Sequence, residues 1–360
     1  MQFRESAEAN DNRALRNNSP GETYEFASEV FMSTVARLPG MRIEANADLS
    51  YRALTGPGTD DFATPLNNGA SIRIEKLDSL TKYYLTGSWR LQDAVSAQIA
   101  DTGVVVAKGD ISTYTLDAGL QRRVSPLDSI AWSVRGTSVD VDFTVLGAVP
   151  YVGLTTTGAW IRRLNPTTDL TTSVQFEFMD RDAPGNPQTI FMRAMVGVDS
   201  QLTKRLTLKA AAGAGAHRTD VDDALNPQVI ETSASWLGDL QLIYRPLAGT
   251  QLSVFAAHSI APNVVGDVQN RTSAGVRVRQ EINRSSDLLL YGAFDHAKSL
   301  DGVDFGTADY FRASVTYGYR LTPDWRAELS YRFAHRTDDA GDASSNAIFL
   351  SAVRDWTLLP

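Results

Sequence analysis

Residues 310–321, Tyr310-Phe311-Arg312-Ala313-Ser314-Val315-Thr316-Tyr317-Gly318-Tyr319-Arg320-Leu321, run through Thr322-Pro323-Asp324 into Trp325-Arg326-Ala327-Glu328-Leu329-Ser330-Tyr331-Arg332-Phe333. One parity holds Phe311, Ala313, Val315, Tyr317 and Tyr319, then Trp325, Ala327, Leu329, Tyr331 and Phe333. The other holds Arg312, Ser314, Thr316 and Arg320, then Arg326, Glu328, Ser330 and Arg332. Strict period-two alternation over about ten residues marks a strand with one apolar and one polar face. The short Pro-Asp turn makes the pair a hairpin.

The rest of the chain repeats this unit. A first strand ends near Ala9, and Thr23 to Leu38 and Met41 to Leu54 form the next pair around Pro39-Gly40. Further pairs surround Asp78-Ser79, Ser125 to Asp128, Asn165 to Thr168, Thr203-Lys204, Pro246 to Gly249 and Asn283 to Ser286, and Ala347 to Trp356 closes the series. The count is about eighteen strands, with sixteen as the alternative. Tight turns alternate with longer loops, such as Asp180 to Pro187, Thr219 to Ser233, Lys298 to Gly306 and Thr337 to Ser345. That asymmetry belongs to a closed antiparallel transmembrane β-barrel with short periplasmic turns and longer extracellular loops. The strands are longer than the five or so residues usual in soluble sheets and match a tilted span of the bilayer. Aromatic residues toward strand ends, at Tyr51, Trp89, Trp160, Trp236, Trp325 and Trp356, suit interfacial girdles. A one-residue slip of Trp325 to Phe333 would turn Arg326, Glu328 and Arg332 to lipid, each basic group costing roughly 2–4 kcal/mol near the midplane.

Composition agrees with this reading and narrows function. The 360 residues carry net charge −8, which argues against a protein that wraps nucleic acid by neutralising phosphates. Residues 1–360 show no linker or low-complexity tract, so a single barrel domain is expected. The absence of Cys removes disulfides, thiolate metal sites and cysteine catalysis. No apolar run is long enough for a spanning helix. The start Met1-Gln2-Phe3-Arg4-Glu5 lacks the regions of a signal peptide, so export would imply the numbering of a processed chain.

The segment Thr316 to Val353, with Leu321-Thr322-Pro323-Asp324-Trp325, Ser330-Tyr331-Arg332-Phe333 and Gly341-Asp342, resembles the closing hairpins of the β-barrel porin 2 group of outer-membrane proteins. Glu8-Ala9-Asn10-Asp11-Asn12 is similar too, since those proteins tend to leave their first strand through an Asp-Asn pair. The resemblance implies a bacterial outer-membrane barrel that meets lipid, lipopolysaccharide and the assembly machinery. It also implies a place near exopolysaccharide export, with periplasmic export components as partners. Such barrels usually end on an aromatic residue, whereas this chain runs past Trp356 through Thr357-Leu358-Leu359-Pro360.

No cofactor, metal or catalytic group is expected. His217, His258, His296 and His335 recur at nearly even spacing, each at the loop end of an upward strand. Successive upward strands are about 10 Å apart, too far for one metal's ligands, so a rim or girdle role is expected. Ser259 follows His258 but points to the opposite face, which excludes a hydrolase pair there. Asp220-Val221-Asp222-Asp223 lacks the spacing and glycine of a calcium loop.

The polar parity is expected to line the lumen. It gathers Arg42, Arg52, Arg73, Arg90, Arg123, Arg135, Arg193, Arg277, Arg279, Arg312, Arg320, Arg326 and Arg332 against Glu44, Asp48, Glu75, Asp117, Glu177, Asp239, Glu281 and Glu328. Excess acid is expected in the outer loops, at Asp60, Asp61, Asp182, Asp222, Asp223, Asp301, Asp304, Asp338, Asp339 and Asp342. Inward Arg and Glu either pair across strands or bias the lumen toward anions. The run Ala210 to Gly215 puts small groups on one stretch of inner wall. Three readings follow: a channel exporting polysaccharide, a general or anion-preferring diffusion porin, and an interaction barrel that binds a partner through acidic loops.

Overall fold

The computed structural model describes residues 1–57, 59, 66–105, 108–143, 150–182, 187–223, 226–264, 266–300 and 306–356, with backbone alone at 143, 221–223 and 226–231. The strands in chain order are β1 (Gln2–Asn10), β2 (Thr23–Leu38), β3 (Met41–Thr55), β4 (Asn68–Leu77), β5 (Thr81–Asp93), β6 (Gly109–Arg123), β7 (Asp128–Phe143), β8 (Tyr151–Asn165) and β9 (Thr168–Arg181). There follow β10 (Gln188–Thr203), β11 (Leu206–Asp223), β12 (Asn226–Tyr244), β13 (Thr250–Pro262), β14 (Val268–Glu281), β15 (Ser286–Ser299), β16 (Thr307–Arg320), β17 (Trp325–Asp338) and β18 (Gly341–Asp355). They form one 18-stranded antiparallel sheet. It closes where β1 pairs with β18, from Gln2↔Asp355 to Asn10↔Ala347, as well as with β2. Closure leaves no unpaired sheet edge, the condition a sheet must meet where no water reaches its backbone.

Residues directly opposite in neighbouring strands share a face, so the register sorts side chains all the way round. Arg312 lies opposite Ala334 and Ala293, Ser314 opposite Arg332, and Arg320 opposite Arg326. The other face carries Phe26, Leu116, Leu154, Met192, Leu240, Phe311, Val315, Leu329 and Leu350, all exposed. An apolar band of this size suits hydrocarbon and not water. Phe3 sets its ring edge-on to Trp356, and Arg354 lies over both Trp325 and Trp356 at the short-turn end.

Two expected loops are strands. Thr219 to Ser233 belongs to β11 and β12 apart from 224–225, and Thr337 to Ser345 is the tip of β17–β18, joined by Asp339-Ala340. Their alternation fades because both faces are polar once the strands leave the apolar band. Asp338 is therefore not a loop acid: it ends β17 on the Arg312 face and pairs with Arg336 at 3.0 Å. Asp60, Asp61, Asp301, Asp304 and Thr357–Pro360 lie outside the described residues, as do the side chains of Asp222 and Asp223.

Among the described residues one helix interrupts the strands: α1 (Ala94–Asp101), between β5 and β6. It folds into the barrel and packs Ala94 and Ala97 against Ile111 and Val139 of the inner wall. It is not long or apolar enough to cross a membrane. The tip of β13–β14 bends inward as well. Ile260 and Val268 join Met179 and Phe191 in a second buried cluster, and Arg193 donates to the Ile260 carbonyl at 2.8 Å. The segment after β1 places Leu15 against Tyr310 and Ala343. The long-loop half of the lumen thus has a packed interior.

Candidate functional site

The site grows from a local accident of sequence. After Asp93 the alternation of β5 stops, and Ala94-Val95-Ser96-Ala97-Gln98-Ile99-Ala100-Asp101 offers good helix formers behind a capping residue. The Asp93 carboxylate accepts from the Ser96 N–H at 2.7 Å and so caps α1. At the other end the Thr102 and Gly103 N–H groups both return to the Gln98 carbonyl. Gly103 adopts φ +75°, and any Cβ there would stand 2.6 Å from the Tyr310 ring. Only glycine fits this left-handed stop.

Three arginines from the opposite wall converge on the C-terminal end of α1. Arg312 donates to the Ala100 carbonyl at 2.8 Å, Arg271 to the Asp101 carbonyl at 2.7 Å, and Arg336 to the Gly103 carbonyl at 3.4 Å. A helix C-terminus presents unsatisfied carbonyls and a partial negative charge, and cations complement both. Arg271 also binds the Asp101 carboxylate at 2.5 Å and, with Arg312, grips the buried Asp295. The Val264 N–H, from the bent β13–β14 tip, donates to the second Asp101 oxygen. Asp101 thus joins both inward-folded segments to the β14–β16 wall.

Beside α1 lies a cavity of about 270 Å³, bordered by Glu8, Arg13, Ser96, Tyr310, Arg332 and Ser345 among others. Glu8 and Glu25 stand directly opposite each other on β1 and β2, and Arg13 bridges them. Arg52 is buried and donates to the Ser96 hydroxyl at 3.2 Å.

The register puts Arg42, Arg52, Arg73, Arg90, Arg123, Arg135, Arg193, Arg277, Arg279, Arg312, Arg320, Arg326 and Arg332 on the α1 face, together with Glu44, Asp48, Glu75, Asp117, Glu177, Asp239, Glu281 and Glu328. Many pair locally: Arg42 with Glu44, Arg73 with Glu75, Arg90 with Asp48, Arg135 with Asp117, Arg193 with Glu177, and Arg326 with Asp287 and Glu328. Arg123, Arg277, Arg279 and Arg320 have no ion-pair partner among the described residues, and neither do Asp239 and Glu281. Arg277 lies 5.5 Å over the Tyr291 ring.

Sequence reasoning passed over Arg13, Asp101, Arg271, Asp295 and Arg336. Arg13 and Asp101 lie outside the strands. Arg271, Asp295 and Arg336 continue the inward parity beyond the stretch where it contrasts with an apolar face. The histidines do not gather. His217 faces inward, buried beside Phe191, while His258 stacks on Trp236 with centroids 4.0 Å apart and His296 meets Asp309 at 2.7 Å. Among the described residues no group could hold a metal ion. In the small-residue run, Ala211, Gly213 and Gly215 do face the lumen, and a Cβ on Gly213 would run into the Ala194 carbonyl of β10.

Fold and site together define a closed barrel of the outer-membrane kind with its lumen crossed by an inward-folded helix. No family model matches the chain, and no curated protein does. Among solved structures it is similar to a BenF-like porin from Pseudomonas fluorescens Pf-5, at 10% identity and TM-score 0.53 over 99% of this chain and 98% of that one. It is also similar to the copper transporter OprC, at 11% identity and TM-score 0.51 over 97% of this chain and 64% of that one. The FrpB iron transporter from Neisseria meningitidis matches at 9% identity and TM-score 0.54 over 93% of this chain and 62% of that one. The chain thus spans less than two thirds of either transporter, and the likeness is one of fold.

Proposed function

We propose that this protein is a bacterial outer-membrane channel for small solutes, with a preference for anions. The observation that carries the reading is the brace of Arg271, Arg312 and Arg336 on α1, which narrows the long-loop half of an otherwise wide lumen. An eighteen-stranded barrel is wide enough for an aqueous channel, and a fixed internal constriction limits what passes by size. Charge adds the preference. Among the described residues Arg37, Arg123, Arg277, Arg279 and Arg320 leave five positive groups of this face without an ion-pair partner, against Asp239, Glu281 and Asp355, so the wall toward the short-turn end is net positive. The structural likeness to a porin supports the same class.

Polysaccharide export would require α1 and the β13–β14 tip to leave the lumen, breaking the Asp101 network and two buried clusters. Nothing in the comparisons supports it, and the diffusion reading needs no such rearrangement.

The test is the zero-current potential of the purified protein in planar bilayers under a KCl gradient. The wild type is expected to pass chloride in preference to potassium, and the double variant Arg277→Glu, Arg279→Glu to lose or reverse that preference. An unchanged potential in the double variant would overturn the anion preference, and no conductance at all would overturn the channel.

A further inference from the structure

The helix α1 has two working faces. Ala94 and Ala97 pack on Ile111 and Val139, whereas Ser96, Ile99 and Ala100, spaced i, i+3, i+4 and so on one side of a helix, border the cavity of about 270 Å³ on its other flank. Across from them the wall carries small groups, Ala334 of β17 and Ser345 and Ala347 of β18, and these leave the space open. The long-loop side is closed. Leu15 packs on Tyr310 and Ala343, Gly103 lies against the Tyr310 ring, and Arg336 ties Asn17 to the Gly103 carbonyl. The cavity is therefore a recess that faces the short-turn half of the lumen, where Arg332 stands below Ala334 on β17.

Arg332 is accessible and uncommitted. Its side chain is 53% exposed, lies 4.7 Å over the Phe349 ring and makes no hydrogen bond among the described residues. The one carboxylate near it there is Glu8, at 3.7 Å, too long for a hydrogen bond. The other Glu8 oxygen already accepts from Arg13 and from the Asn10 amide, each at 3.2 Å. Behind Arg332 the recess is mainly apolar, with Leu15, Ile99, Ala100, Ala347 and the Tyr310 ring. An apolar lining with a few polar groups that fix orientation is the usual make-up of a small-molecule site, and the volume is near the lower limit of roughly 300 Å³ for such sites. It has space for one small solute and not for a polymer. A single free guanidinium at the mouth calls for a single negative charge, and its planar fork matches a carboxylate.

We propose that the recess beside α1 binds a short-chain aliphatic monocarboxylate, its carboxylate on Arg332 and its hydrocarbon tail between α1 and the small residues of β17 and β18. The site rests on the channel reading and names a solute for it. Titration calorimetry on the full chain in detergent, blanked against protein-free micelles, tests it with acetate, butyrate, hexanoate and the uncharged hexanamide. Affinity should rise roughly fourfold for each methylene that enters the recess, and hexanamide should bind about tenfold or more below hexanoate. Arg332→Gln should weaken hexanoate by a similar factor. Ala334→Leu, which fills the recess, should weaken it as well, and heat-dependent gel migration checks that each variant has formed its barrel. Ile99→Phe fills the same space from the helix and serves if the Ala334 variant does not fold. Equal affinity for acetate and hexanoate, equal affinity for hexanoate and hexanamide, no binding at all, or wild-type affinity in a folded variant would overturn the site. Binding without conductance in the bilayer would leave the site standing and sink the channel, and conductance without binding would do the reverse.

Discussion

Asp101 and Arg271 lie 170 residues apart in the chain and meet at 2.5 Å, the guanidinium taking both the carboxylate and the main-chain carbonyl of the last residue of α1. The pair is one of the contacts, with those of Arg312 and Arg336, that hold the end of α1 across the lumen. Arg271→Gln removes the cation and leaves Asp101 facing only the Val264 N–H. Charge-assisted hydrogen bonds of this kind are worth roughly 1.5–3 kcal/mol. The expected outcome is a larger and noisier single-channel current together with a lower melting temperature. A current trace indistinguishable from wild type would show that α1 is held elsewhere.

Arg13 tethers the segment after β1 by bridging two carboxylates that the register sets face to face. Like charges directly opposite repel. Removing one partner of a buried pair costs roughly 3–5 kcal/mol, so Arg13→Gln should destabilise the barrel by a few kcal/mol. Adding Glu25→Gln should recover much of the loss. Chemical denaturation of the two single variants and the double variant measures the coupling, which strict additivity would refute.

The two ends of α1 should be separable from the barrel. Asp93→Ala removes the cap, at a cost of roughly 0.5–2 kcal/mol, and Gly103→Val combines a disfavoured φ with a clash on Tyr310. Both should expose residues 94–105 to protease while the strands stay protected. Mass spectrometry of a brief digest reads the cut sites, and cleavage spread evenly through the chain would contradict the expectation.

The two faces predict opposite tolerance to charge. Val315→Arg sets a cation in the lipid-facing band at roughly 2–4 kcal/mol near the midplane, whereas Ser314→Arg joins Arg312 and Arg332 on the wet face. Refolding yield into vesicles should fall for the first and hold for the second.

The barrel was legible because its strands separate two solvents, and each strand records both. Phe311, Val315 and Leu329 against Arg312, Ser314 and Glu328 fix a period and a register together. Where one solvent disappears, so does the signal. Thr337 to Ser345 reads as a loop because Arg336 and His335 are polar on both faces of the β17–β18 tip. The constriction was harder still, since α1 buries Ala94 and Ala97 against Ile111 and Val139, residues whose apolar character looks ordinary in a strand. The traces it left were the Asp93 cap, the alanines that follow and Gly103. Arg271, Asp295 and Arg336 act through distances across the barrel, which no local pattern encodes.

The brace on α1 also sets an order of events in folding. Its carbonyl groups are satisfied by side chains from β14, β16 and β17, while the helix itself springs from β5. Whichever end of the sheet zips first, these partners coexist only when most of the ring has formed, and contacts so distant in sequence are slow to make. The lumen therefore stays open during assembly and is crossed last, so an incomplete barrel is a leaky one, and tightness itself reports that the ring has closed.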